Sequence, residues 1–387
     1  MSEEIQPFQI AIPDVALADL QTRLRNTRFP DELSAGGWDL GSPLEDVKRL
    51  ASHWAERFDW RAAEAALNKL PQFTTRLGAD GFAPFSVHFV HARSTRADAI
   101  PLLFVHGWPG SFYEGTKLIE PLTQPGEGQP AFHVVVPSIP NFGFSEGPKE
   151  RGFSVDQHGD VLHQLMLRLG YDQYVTQGGD WGWMITRAMS RKYAPRHIKA
   201  QHLNLEVFST PSLFRNPILA IQSYLSLAFP SERQKQGFER FKWFQAEGSG
   251  YSAIQGTKPQ TAGYALTDSP VACLAWIYEK LHDWTDDYPW TDDEVCTWIS
   301  IYWFSTMGPH ASQRLYYEFA RKAKSTAEQK KMEPPGSTIE ELQKWQDVKI
   351  GLAHFPGDVI AIPGTTGKLL GRVVYEKDHK DGGHFAA

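Results

Sequence analysis

The sequence predicts an α/β fold: a mostly parallel sheet flanked by helices. Three observations carry that prediction. Short, wholly apolar runs, PLLFV (101–105) and FHVVVPS (132–138), are strands of the kind buried on both faces of a parallel sheet. They alternate with helical segments, and repeated strand–helix–strand units build a parallel sheet covered on both sides. The alternation breaks between about 206 and 320, where helical, aromatic and loop-rich sequence is inserted, and the strands resume at VKIGLAHF (348–355) and GRVVYE (371–376).

Taken in order, the chain begins helical. Pro13 marks a first helical turn, and Val15, Leu17, Leu20 and Leu24 follow at roughly helical spacing up to Pro30. Ser42-Pro43-Leu44-Glu45 reads as a capping box with proline at the first helical position. Leu44, Val47, Leu50, Ala51 and Trp54 then form one apolar face. WRAAEAALNKL (60–70) is a third helix, and FSVHFVHA (85–92) alternates like a strand. VDQHGDVLHQLMLRLG (155–170) is a helix ending at Gly170. QYVTQ (173–177) is a short strand, WMITRAMSRKY (183–193) a helix and IKAQHLNL (198–205) a strand. Within the insertion, GSGYSAIQGTKPQTAGY (248–264) reads as an irregular centre, and 321–345 as a charged linker with a short helix. No internal repeat is visible.

Composition narrows the function. The chain has 387 residues, enough for one enlarged α/β domain with an insertion. A net charge of −6 gives no reason to expect nucleic acid or an anionic membrane as partner. With 13 Trp, 13 Tyr and 23 Phe, some aromatics are expected to line a pocket for a bulky apolar ligand. The two cysteines, Cys273 and Cys296, have no metal-type spacing and point to a reduced interior. No apolar run approaches the roughly 20 residues of a membrane span, and MSEEIQPFQIAIPD lacks the basic and apolar regions of a signal peptide. The expectation is a soluble, cytoplasmic protein; a homodimer is left open.

Residues 178–182 read Gly-Gly-Asp-Trp-Gly, between a strand and a helix. A sharp strand–turn–helix of this kind presents a nucleophile, with small residues where side chains have no room. By itself the string also fits a turn with a solvated aspartate; its flanks favour presentation. Aspartate in this position restricts the chemistry. An ionised carboxylate displaces a leaving group from saturated carbon and forms an ester with the enzyme, so epoxides and alkyl halides are the expected electrophiles. In an α/β-hydrolase the acid and then the histidine follow the nucleophile in the chain. His384, in Gly-Gly-His-Phe after the last strand, fits better than His379, which sits in a charged run. Asp358, in HFPGD, is the acid that would fix the imidazole; Asp378 and Asp381 are the alternatives. Two backbone amides should converge on the oxyanion: that of Trp181, after the nucleophile, and that of Trp108, in the His106-Gly107-Trp108-Pro109-Gly110 turn after the strand at 101–105.

These motifs resemble those of the microsomal-type epoxide hydrolases, including their soluble microbial members. HGWPGSF (106–112), QGGDWGW (177–183), TKPQTAGYALTDSPVACLAWIYEK (257–280), SQRLYYE (312–318), HFPGDV (354–359) and GGHFAA (382–387) follow that family's pattern in order. FDWRAAEAALNKLPQFTT (58–75) resembles its N-terminal meander, and the likeness covers nearly the whole chain. The resemblance implies an α/β-hydrolase fold in four parts: a helical meander over 1–95, a first core half over 96–205, a helical lid over 206–320 and a second core half over 321–387. It also implies two lid tyrosines that hold the epoxide oxygen, Tyr251 and Tyr316, with Tyr317 as a neighbour of the second. A phenol donor stabilises and then protonates the oxygen released by ring opening. The expected substrate is a small apolar or aromatic epoxide, with water, and no metal or cofactor is called for.

Two departures from the family pattern stand out. The family usually continues after GGHFAA with a final helix of about twenty residues. This sequence stops three residues after His384, and loss of such a helix would expose apolar surface and loosen the His384 loop. The vertebrate member's N-terminal membrane anchor also has no counterpart. Two rival functions are a haloalkane dehalogenase, with Trp181 as a halide donor, and a hydrolase-fold ligand-binding protein without catalysis.

Overall fold

The computed structural model describes residues 4–205, 207, 211–214, 216–324, 337–359 and 367–385. Its N-terminal part contains β1 (Gln6–Pro7), α1 (Asp14–Arg25), α2 (Leu44–Glu56), α3 (Trp60–Leu67), β2 (Gln72–Leu77) and β3 (Phe85–Ala92). Strands and helices then alternate through β4 (Ile100–Val105), α4 (Thr116–Thr123), β5 (Phe132–Pro137), α5 (Val155–Arg168), β6 (Tyr174–Gly178), α6 (Asp180–Tyr193) and β7 (Ile198–Leu203). A helical segment follows: α7 (Pro217–Ala228), α8 (Glu232–Trp243), α9 (Gly250–Thr257), α10 (Pro259–Asp268), α11 (Pro270–Asp283), α12 (Asp292–Trp303) and α13 (Gln313–Lys324). After it come α14 (Ile339–Leu342), β8 (Lys349–His354), α15 (Gly367–Leu370) and β9 (Arg372–Asp378).

Among the described residues these strands form one nine-stranded sheet, in the order β1-β2-β3-β5-β4-β6-β7-β8-β9. From β5 to β9 every neighbouring pair is parallel, while β1, β2, β3 and β5 pair antiparallel. The antiparallel end was not expected from the sequence. QFTTRL (72–77) is too polar to read as a buried strand, and it is held by pairing along the whole of β3. The central strands behave as the apolar runs predict: Leu103, Val105, Val134, Val135 and Val136 are all buried.

Helix starts and glycines account for the other differences. Pro43 is the N-cap of α2 rather than its first helical residue, and the expected capping box does not form. Ser42 Oγ instead donates to the Ala275 carbonyl at 2.9 Å, which ties α2 to α11. The stretch expected as irregular, 248–264, is largely the two helices α9 and α10. Its glycines serve close packing: a Cβ on Gly256 would lie 3.2 Å from Ala320 of α13, and one on Gly263 3.2 Å from His310. Residues 325–336 of the charged stretch 321–345 lie outside the described residues; the rest holds the end of α13 and the short helix α14.

Two sets of contacts hold these parts in register. Trp54 of α2 is 1% exposed, and its indole donates to Ser300 of α12 at 3.0 Å, while Trp38 stacks on His282. The N-terminal helices therefore pack directly on the inserted helices. Arg187 of α6 is fully buried and donates to the carbonyls of Leu342, Lys344 and Leu370 at 2.8–3.0 Å, joining α6 to α14, the loop after it and α15. Burial pushes its guanidinium down to about 9, yet it stays charged at neutral pH with hydrogen-bond acceptors around it. Among the described residues no helix is long and apolar enough to cross a membrane.

Candidate active site

The site lies at the carboxyl ends of the parallel strands, where loops after β4, β6 and β8 and the segment after β9 converge. Asp180 is the first residue of α6, immediately beyond β6. Its φ of +47° is in the left-handed region, which a non-glycine residue occupies at a cost of roughly 1–3 kcal/mol. The turn is possible because α6 runs hard against β4: a Cβ on Gly182 would lie 1.9 Å from the Val105 carbonyl oxygen. The sequence placed the helix start at residue 183, but it begins at Asp180, so the carboxylate sits at the positive end of the helix dipole.

The two oxygens of Asp180 are distinguished. Oδ1 accepts from the Trp108 amide at 2.7 Å, and Oδ2 faces His384 Nε2 at 3.5 Å. Trp181 follows in the first turn of α6, where backbone amides have no partner within the helix. The Trp108 turn is held by His106. The Ile139 amide donates to its Nε2 at 3.1 Å, so that nitrogen carries no proton and Nδ1 donates to the Gly107 carbonyl at 2.9 Å. Burial, partly offset by that backbone bond, depresses His106 to about 4 and keeps it neutral.

His384 and Asp358 meet at 2.7 Å through Nδ1 and Oδ1, and both are buried. The same carboxylate oxygen accepts from the Val359 amide at 2.7 Å. Gly382, at φ +101°, turns the chain back, and the His384 amide donates to the Trp284 carbonyl at 2.7 Å. Arg240 of α8 donates to the Asp283 and Gly357 carbonyls, so the helical segment also braces the Asp358 loop. The alternatives lie elsewhere: His379 stacks on Phe355, and Asp378 pairs with Arg233 at 3.4 Å.

Burial alone would depress His384. The Asp358 charge, the contacts with Asp180 and Asp358 and the Asp180 charge outweigh it and lift the imidazole to about 10. Its folded pKa is therefore raised above the ordinary value near 6.5, so the stabilisation is full below about pH 6.5 and is lost as pH rises through 10. Chemical denaturation across pH 6.5–10 is expected to show stability falling by roughly a few kcal/mol. In Asp358→Asn that alkaline slope becomes shallower. An unchanged slope would remove the ion pair as its cause.

Tyr251 of α9 and Tyr316 of α13 meet above Asp180. The Tyr251 ring stacks on Trp108 with centroids 4.9 Å apart, and Tyr316 lies edge-on to Trp108 at 5.7 Å, to Trp181 at 4.7 Å and to Tyr251 at 5.8 Å. The Tyr316 hydroxyl is buried and lies within interaction range of Tyr251 and Trp181. Burial pushes both phenols well above their ordinary value, with the Asp180 charge adding to it. Tyr317 points away, its hydroxyl accepting from Arg151 at 2.9 Å. All seven residues singled out in the sequence are thus brought together. Three neighbours were not: Trp284, Arg240 and Glu114. Only Glu114 had a signal, since it lies just beyond the HGWPGSF motif.

Comparison with known proteins places the chain in a family. Residues 5–115 match the family model described as the epoxide hydrolase N terminus, and residues 100–234 match the alpha/beta hydrolase fold. Epoxide hydrolase 1 of Sus scrofa is 32% identical over 415 residues, which span 100% of this chain and 86% of that protein. The epoxide hydrolase of Aspergillus niger superposes with a TM-score of 0.83 at 32% identity, covering 99% of this chain and 92% of that one. Juvenile hormone epoxide hydrolase from Bombyx mori superposes with a TM-score of 0.83 at 28% identity, covering 99% and 90%. By sequence, fold and the arrangement around Asp180, this chain belongs to the epoxide hydrolase family of the α/β-hydrolase fold.

Proposed function

We propose that this chain hydrolyses epoxides to vicinal diols through a covalent hydroxyalkyl ester on Asp180. One observation carries the reading: the carboxylate of Asp180 lies between the Trp108 amide and His384, beneath the two buried tyrosines. Oδ2 attacks an epoxide carbon, and the carbon–oxygen bond of the ring breaks. Tyr251 and Tyr316 hold the departing oxygen, and one of them gives it a proton. Esterification removes the Asp180 charge that helped to keep His384 protonated, so His384 can release its proton to restore the tyrosine. Now neutral, His384 takes a proton from water as the water oxygen bonds to Cγ. Oδ1 becomes the oxyanion, held by the amides of Trp108 and Trp181. Collapse breaks the Cγ–O bond to the alkyl group, and the alkoxide takes the proton of the hydroxyl newly bonded to Cγ, which restores the Asp180 carboxylate and releases the diol. A carboxylate, an imidazole and two phenols supply every step, so the scheme calls for no metal or cofactor.

The aromatic walls from Trp108, Trp181, Tyr251, Trp284 and Tyr316 suit an apolar or aromatic epoxide. We read the helices between β7 and β8 as a lid that brings the tyrosines to the core. The test is diol formation from styrene oxide beside halide release from a bromoalkane. Diol without halide is expected; halide without diol would favour dehalogenation, with Trp181 as the halide donor. Either Tyr251→Phe or Tyr316→Phe is expected to slow ester formation about 100-fold and to leave ester hydrolysis nearly unchanged. Rapid-quench kinetics separates the two steps, and unaltered ester formation in both variants would remove the tyrosines from the mechanism.

A further inference from the structure

A cavity of about 350 Å³ lies on the seam between the sheet core and the inserted helices, and its size is that of a small-molecule site. The loop between β5 and α5 forms one wall, with Asn141, Lys149 and Arg151. Lys258, at the start of α10, and Arg314, on α13, belong to the other. Four cations thus meet at one seam of a chain whose net charge is −6. Glu150 and Glu318 also line the cavity, but Glu150 accepts from the Lys149 amide at 3.1 Å and Glu318 from the Gly152 amide at 3.0 Å. Among the described residues none of the four cations forms an ion pair with a carboxylate. Neither Asp180 nor His384 is part of the lining.

The two arginines are held across the seam by neutral groups. Arg314 is half-buried, and its Nη1 donates to Asn141 Oδ1 of the core loop at 2.9 Å. Asn141 is itself 4% exposed and closely wrapped, since a Cβ on Gly147 would lie 2.5 Å from that same oxygen. In the reverse direction, Arg151 of the core loop donates to the Tyr317 hydroxyl of α13 at 2.9 Å, with its guanidinium 5.7 Å from the ring centroid. Both guanidinium groups are therefore positioned without being neutralised. Burial pushes Arg314 below its ordinary value with no carboxylate to offset it, yet the guanidinium stays charged. A partly desolvated charge without a counter-charge is costly, and an anion in the cavity would remove that cost. The positive end of the α10 dipole adds to the attraction, because Pro259 and Gln260 of its first turn line the same space.

We propose that this cavity is a binding site, separate from the active site, for a small organic anion that carries phosphate or carboxylate groups. Planar guanidinium forks on Arg151 and Arg314 suit the paired oxygens of either group. Lys149 and Lys258 are exposed and can close on the anion from the two sides of the seam. An anion held there bridges the core loop to α10 and α13.

The test is isothermal titration of the whole chain with pyrophosphate and, separately, with citrate, at fixed ionic strength in chloride. Saturable one-to-one binding of at least one probe is expected, with Kd of about 1 mM or tighter. Pyrophosphate alone would identify the phosphate class, and citrate alone the carboxylate class. Arg314→Gln should weaken binding about 10-fold or more, the worth of a charge-assisted hydrogen bond. If that variant does not fold, the exposed pair Lys149→Gln with Lys258→Gln should weaken binding in the same direction. Asp180→Asn should bind the probe as wild type does. No saturable binding of either probe, or undiminished binding in the cation variants, would overturn the proposal. Binding that changes in Asp180→Asn and not in the cation variants would place the anion in the active site and overturn it as well.

Discussion

Asp180→Asn is expected to lower kcat for diol formation by roughly 10⁴- to 10⁶-fold, the loss typical of removing a covalent nucleophile. The size follows from what the amide lacks. An asparagine keeps the shape of the turn and an oxygen for the Trp108 amide, but it has neither the charge nor the nucleophilic pair that attacks carbon. It also removes one of the carboxylates that raise His384, so the imidazole should titrate lower in the variant. Tm should change little, because the left-handed conformation at residue 180 suits asparagine as well as aspartate. The measurement is steady-state turnover of styrene oxide with a thermal melt. Turnover within tenfold of wild type would exclude Asp180 as the nucleophile.

The second large effect separates the two half-reactions. His384→Gln is expected to form the ester and then stall, with hydrolysis reduced by about 10²- to 10⁴-fold, the range for a general base. Intact-protein mass should rise by the mass of one substrate and fall only slowly. The geometry sets this expectation: His384 Nε2 is 3.5 Å from the Asp180 carboxylate, and Asp358 at 2.7 Å fixes its other nitrogen. A variant that neither gains mass nor turns over would show that His384 is needed for the first step as well.

Much of this site could be read from the sequence because catalysis at a strand end requires residues with local signatures. Asp180, Trp181 and Trp108 sit in turns where glycine is obligatory and a buried strand comes just before. His384 was separated from His379 by its glycines, and Gly382 does adopt a positive φ. Tyr251 and Tyr316 were legible only through family resemblance. Each lies on a helix among many aromatics, and no local pattern says which phenol faces the carboxylate. The misreadings share one cause. The stretch 248–264 looked like a loop because its glycines were weighed as helix breakers, whereas two of them let α9 and α10 pack closely against neighbours distant in sequence. β2 was missed because its polar sequence gains its strand character from pairing with β3. Arg240 and Trp284 depend on contacts between segments far apart in the chain, and only the folded structure brings them together.

The central claim, an ester on Asp180, is tested most directly by one turnover in H₂¹⁸O with enzyme in excess over styrene oxide. Attack of water on Cγ places ¹⁸O in the carboxylate of the peptide that carries Asp180, and the diol from that first turnover contains none. Labelled diol with an unlabelled Asp180 peptide would mean that water attacks the epoxide directly, and the covalent mechanism would be contradicted.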